Sequence, residues 1–231
     1  MIKIKFQVDK NVIARYLIAS SRMPIKLTND LWEKYQDSYK KLKCDFRSQN
    51  VDADIVNELM NSNYFKSIYN ESIENCERIE KNWREKEEIV QRFIKNICKK
   101  EIDLQVSANI VSPRLCMGRS VGQNAFFWGH KRGLSDENYD IVYLIHEALH
   151  SRFEKDDLSH AIIEKIADIG LATYLNGRAY SCHEFTRRYH DLLEPYWNGY
   201  LGNLQNDKNL VEMNIDEFTD YVQKQFALIK E

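Results

Sequence analysis

All 8 glycines of this 231-residue chain lie at or after Gly118, and the first 117 residues contain none. Glycine supplies the positive-φ positions that tight hairpin turns need, so the front of the chain has few ways to reverse as sheet. It has to be built mainly of helix. The exception is the start, where Ile2, Ile4, Phe6 and Val8 alternate with Lys3, Lys5 and Gln7, the period of a half-buried strand over residues 2–8. Asp9 is placed to cap a helix running to about Ser20 before Pro24, and a second helix is predicted from Thr28 or Asn29. From about Asp52 to Lys100 the text is helical again. There Ile73, Cys76, Ile79, Trp83, Val90, Phe93, Ile94 and Ile97 recur at helical spacing between Glu and Lys residues of a solvated face.

Past residue 100 the pattern changes. Ile102, Leu104 and Val106 alternate with polar residues, and "QNAFFWGH" is a second strand signal, aromatic in character. Ser135, Asp136, Glu137 and Asn138 offer cap and first-turn residues for the helix that follows. "LSHAIIEKIADIGLATYLNG" reads as another helix, capped near Ser159 and closed by Gly177. A later helix opens at Ser181-Cys182-His183-Glu184 and is expected to end at Pro195, and "NIDEFTDYVQKQFALIK" is a last amphipathic one. The chain is therefore expected to be α+β, predominantly helical with a small mixed sheet. A helical N-terminal region, 1–100, whose first strand can join the sheet, precedes a second region, 101–231.

Charge and cysteine usage exclude several functions. With 33 Lys and Arg against 35 Asp and Glu and a pI near 6.3, there is no basic excess for a phosphate backbone, so nucleic acid is not expected as a partner. The opening "MIKIKFQVDK" has no signal-peptide pattern and no run has membrane-spanning length, which points to a soluble, cytoplasmic protein with no membrane partner. Cys44, Cys76, Cys98, Cys116 and Cys182 are scattered and unpaired in spacing, which suits neither a disulfide framework nor a cysteine zinc site.

The chemistry concentrates in "IVYLIHEALH", residues 141–150. His146 and His150 are four apart on one helix face and can reach one metal ion, while Glu147, one residue past the first histidine, stands beside the metal to hold and deprotonate water. Burying these three groups without partners would be costly. A catalytic zinc site takes three protein ligands. On the next helix Glu164 is the favoured third, and Asp168 can accept the outer N–H of a ligand histidine. His160, one turn before Glu164, and Asp156 are rival third ligands.

At these residues the chain resembles the gluzincins, zinc peptidases that carry H-E-x-x-H on one helix and a glutamate on the next, including the thermolysin-like enzymes. The resemblance covers roughly residues 102–177. It implies a zincin-like active-site helix plus glutamate helix, Zn2+ bound by His146, His150 and Glu164, Glu147 as general base, and a peptide or protein substrate. It further implies that Asn124, Ala125 and Phe126 form an edge strand pairing with substrate, and that a downstream His or Tyr steadies the oxyanion, for which His183, Tyr189 and His190 are the candidates. The chain departs from the thermolysin-like pattern in its short His150-to-Glu164 connection and in Ile163, where those enzymes have asparagine. A zinc-binding regulatory or partner-binding module with little proteolytic activity is the alternative.

Overall fold

The computed structural model describes residues 1–45, 53–122, 124–153, 156–203 and 208–229. Strand β1, Ile2–Gln7, leads into α1, Lys10–Ser20, where the Asp9 carboxylate accepts the Val12 N–H at 3.1 Å. Helix α2, Ile25–Cys44, begins directly behind Pro24 rather than at Thr28 or Asn29. The fixed φ of proline suits the entry to a helix, and the Thr28 hydroxyl donates back to the Pro24 carbonyl at 3.1 Å. Asp52, where the next helical text opens, lies outside the described residues, as do Gln123 of the aromatic strand and the end of the last helix beyond residue 229. That text makes two helices, α3 (Ala53–Asn61) and α4 (Asn63–Cys98), because the Ser62 hydroxyl caps the second by accepting the Phe65 N–H at 3.1 Å. At 36 residues α4 is about 54 Å long.

Strands β2 (Leu104–Ile110), β3 (Met117–Gly122) and β4 (Ala125–Gly129) complete a four-stranded sheet ordered β1-β2-β4-β3. β1 and β4 run parallel to β2, and β3 runs antiparallel to β4. The expected edge strand is therefore misplaced. Ala125 and Phe126 are paired on both sides, Asn124 turns the hairpin at φ 59°, and the edge on that side of the sheet is β3, with β1 at the other. Met-Gly-Arg-Ser-Val-Gly carries no apolar alternation, so nothing in its pattern announces a strand.

The helices that follow are α5 (Tyr139–Leu149), α6 (Asp157–Glu164) continuing through a π-helical stretch, Lys165–Leu171, into α7 (Ala172–Asn176), then α8 (Arg187–Tyr200), α9 (Lys208–Glu212) and α10 (Ile215–Ile229). Helix α8 starts later than the Ser181 text suggested and runs through Pro195, held there by the buried Leu193, Trp197 and Tyr200. The apolar clusters follow the faces of the sheet, not a boundary at residue 100. One face, with Val106, Phe126 and Trp128, packs on α5, α6 and the second half of α4; the other, with Met117 and Phe127, packs on α1, α2, α3 and the first half of α4. The fold is α+β and predominantly helical. All five cysteines are free, and among the described residues no helix is long and apolar enough to cross a membrane.

A buried carboxylate fastens α4 to this assembly. Asp140, with 0% exposure, accepts from Arg78 at 2.6 Å and from the Trp128 indole at 2.7 Å, while Arg78 also donates to Asn75 and to the Gly133 carbonyl. A Cβ on Gly133 would stand 2.2 Å from that carboxylate, so only glycine lets the chain pass. Asp140→Ala, which strands a guanidinium and an indole N–H, should lower stability by about 3 kcal/mol. Urea denaturation measures this, and a loss under about 1 kcal/mol would show that the pair does not hold α4.

Candidate metal centre

Helix α5 is buried along almost its whole length, so the functional groups it carries must find partners inside the protein. Its start does not use the expected cap residues. Asn138 makes no capping bond and donates instead to Asn176 Oδ1 at 2.9 Å, and the helix opens at Tyr139. His146 is 2% exposed and places Nδ1 2.9 Å from Asp168 Oδ1 on the π-helical stretch. That contact makes Nδ1 the protonated nitrogen and turns the Nε2 lone pair inward. Burial opposes charge on this ring, but the Asp168 carboxylate outweighs it and raises the pKa above the ordinary histidine value. One turn on, His150 at the end of α5 brings its Nε2 to 3.2 Å from His146 Nε2.

His160 closes the group from α6. Asp156 caps this helix, accepting the Ser159 N–H at 2.9 Å and its hydroxyl at 2.7 Å, so the cap is not Ser159 itself. The His160 ring centroid is 5.1 Å from that of His146 and 4.7 Å from that of His150, and its Nε2 is buried with no hydrogen-bond partner. Burial first, and then the neighbouring His146, pull its pKa down to about 4, which keeps the imidazole neutral. One nitrogen from each of His146, His150 and His160 lies within 4.8 Å of the others.

Glu164, the third ligand implied by the resemblance, does not join His146 and His150. It is fully buried and accepts the His183 N–H and Nδ1 at 2.7 Å each, His190 Nε2 at 2.7 Å and the Thr186 hydroxyl at 2.5 Å. Burial alone would raise its pKa, but the hydrogen bonds from His183, His190 and Thr186 hold it well below the usual carboxylate range. The helix widens into the π-helical stretch immediately after Glu164, so Glu164 and Asp168 no longer share the face that four-residue spacing on an α-helix gives. Glu164 faces the turn before α8, and Asp168 faces α5. His160 Nε2 lies between, 3.7 Å from Glu164 Oε1.

The three candidates for an oxyanion donor separate. His183 lines the same cleft as His146, Glu147, His150 and His160, a cavity of about 360 Å3. Its pKa is raised, chiefly by the hydrogen bond to Glu164. His190 is spent on Glu164, and Tyr189 packs against the main core. Glu147 is 8% exposed on the cleft wall. Burial pushes its carboxyl up to about 7, against His146 and the Ser120 backbone N–H, which favour the charged form. Edge strand β3 passes directly over it: a Cβ on Gly118 would meet the Trp128 ring at 2.6 Å and Glu147 Oε1 at 3.1 Å. An isolated glycine in a strand signals such a close approach and could have flagged Gly118. Thr186 had no signal in the sequence. The chain matches no protein-family model, no curated protein and no solved structure.

Thr186→Val removes one donor from a buried carboxylate without changing shape and should cost about 1.5–3 kcal/mol at neutral pH. Because the folded pKa of Glu164 is depressed, this contribution is present above the ordinary glutamate value, near 4.3, and disappears as pH falls below it. Urea titrations of both proteins at neutral and acid pH check the sign. A difference that grows on acidification would contradict the ionised state of Glu164.

Proposed function

We propose that the protein is a zinc-dependent peptidase in which His146, His150 and His160 hold the metal. The observation that carries the reading is the set of three imidazoles, one with an orphaned buried nitrogen and two with Nε2 atoms 3.2 Å apart. Facing lone pairs at that distance repel unless a proton or a cation lies between them. Zinc–nitrogen bonds of about 2.0–2.1 Å put neighbouring tetrahedral ligands about 3.3 Å apart, so the spacing suits the ion. Resemblance to the gluzincins favours Glu164 as third ligand; the geometry favours His160, because both Glu164 oxygens are already taken by hydrogen bonds.

When bound, the cation supplies a Lewis acid that polarises a carbonyl and acidifies water. The rest falls to the protein. Glu147, poised near neutrality on the cleft wall, takes a proton from the attacking water and returns it to the departing amine. His183, whose Nδ1 is held by Glu164, is left with its other nitrogen to donate towards a developing oxyanion. Asp168 keeps His146 in the ligating tautomer. The edge of β3 offers backbone groups to an extended peptide.

Glu147→Gln should abolish cleavage of a peptide library, followed by mass spectrometry, while leaving bound zinc unchanged. Retained cleavage would remove Glu147 from the mechanism, and an inactive wild-type protein that still binds zinc would favour a regulatory metal module. Asp168→Asn, which no longer fixes the His146 tautomer, should weaken zinc binding by about 10–100-fold in a competition titration with a chromogenic chelator. Unchanged affinity would mean that Asp168 is only a structural partner.

A further inference from the structure

Among the described residues, the cleft beside His146 and Glu147 is bounded by glycine, serine, histidine, aspartate, glutamate and arginine. An aliphatic or aromatic side chain entering it meets mostly polar groups, with the exposed Phe185 ring beside His160 and His183 as its nearest apolar neighbour, so the hydrophobic gain that guides many peptide sites is small. Discrimination has to come from charge and hydrogen bonding. Two charged side chains on its lining make no ion pair or hydrogen bond among the described residues. These are Asp157, exposed in the first turn of α6, and Arg119, exposed on β3.

The two belong to different elements, Asp157 to α6 and Arg119 to β3. Asp157 follows Asp156, whose carboxylate is engaged by Ser159 but keeps its negative charge on the same wall. The positive end of α6 offsets part of both charges, and Asp156 already serves as the cap there. Arg119 pairs in register with Phe127, whose ring packs on Tyr16 of α1 at 5.7 Å, so Arg119 leaves the sheet on the face turned away from α5. The lining also holds Glu147, covered by β3, and His183, committed to Glu164. A basic side chain therefore meets two carboxylates on the α6 side, while the Arg119 guanidinium is directed to the other face of the sheet. An acidic one meets two like charges on the α6 side.

We propose that the cleft selects peptides carrying a basic side chain next to the bond to be cut, with Asp157 receiving it. That this neighbouring bond is cut rests on the peptidase reading; the selection in binding does not. Each exposed pair is weak, but specificity is a difference, and attraction of lysine together with repulsion of glutamate adds to about tenfold.

The test uses the full-length, zinc-loaded Glu147→Gln protein and acetylated, amidated octapeptides of alanine and serine with a central Lys, Gln or Glu, titrated by calorimetry. The Lys peptide should bind about tenfold more tightly than the Glu peptide, with Gln between, and the ratio should fall at high salt. Adding Asp157→Asn should bring the three within about twofold. Equal affinities, a ratio untouched by Asp157→Asn, or no binding of any peptide at about 1 mM would overturn the proposal. Wild-type protein that cleaves none of the three while the Lys preference persists would remove the peptidase reading and leave the selection standing. Wild-type protein that cleaves all three alike, with Asp157→Asn changing nothing, would remove the selection alone.

Discussion

A carboxylate with no solvent exposure must be met by a donor, and Asp168 is met by the Nδ1–H of His146 at 2.9 Å. Its second oxygen has no partner, so this one contact carries most of the compensation for burying the charge. The pair joins α5 to the π-helical stretch in the centre of the main core and sets the direction of His146 Nε2. The positions of His150 and His160 around that nitrogen, and of Glu147 one residue further along α5, depend on it. Replacing such a pair by hydrocarbon could be neutral for stability.

The surroundings extend the same economy of buried charge. Glu164 has four donors, Asp140 has a guanidinium and an indole, and Glu147 has the Ser120 N–H beneath a glycine-bearing edge strand. Each carboxylate ties together elements distant in sequence. Asp140 fixes α4 to α5, and Glu164 fixes the turn before α8 to α6. The front helices cover the opposite face of the sheet from the three-histidine cluster, with α4 spanning both cores. Among the described residues, they contribute none that line the cleft.

Much of this was legible in local spacing. The alternation at Ile2, Ile4 and Phe6, the helical spacing from Ile73 to Ile97 and the i, i+4 pair His146 and His150 depend on neighbours in the chain, and the elements they predict are present. Asp168 was recognisable because its distance from Glu164 follows a pattern. His160 was legible only as a rival to Glu164, because the widening of the helix after Glu164 is a tertiary effect that turns the glutamate towards His183, Thr186 and His190, residues 19 to 26 positions away. The edge strand was missed for the opposite reason. Met117–Gly122 has no apolar alternation because one of its faces presses on the Glu147 carboxylate and the Trp128 ring, where glycine is required. Pro195, expected to end its helix, is overridden by the packing of Trp197 and Tyr200.

Metal stoichiometry by elemental mass spectrometry on purified wild-type protein, His160→Ala and Glu164→Gln tests the centre most directly. The geometry predicts about one zinc per chain, lost in His160→Ala and retained in Glu164→Gln. Zinc retained without the His160 imidazole but lost with Glu164→Gln would return the third position to the glutamate, and wild-type protein that takes up no zinc would contradict the metal centre altogether.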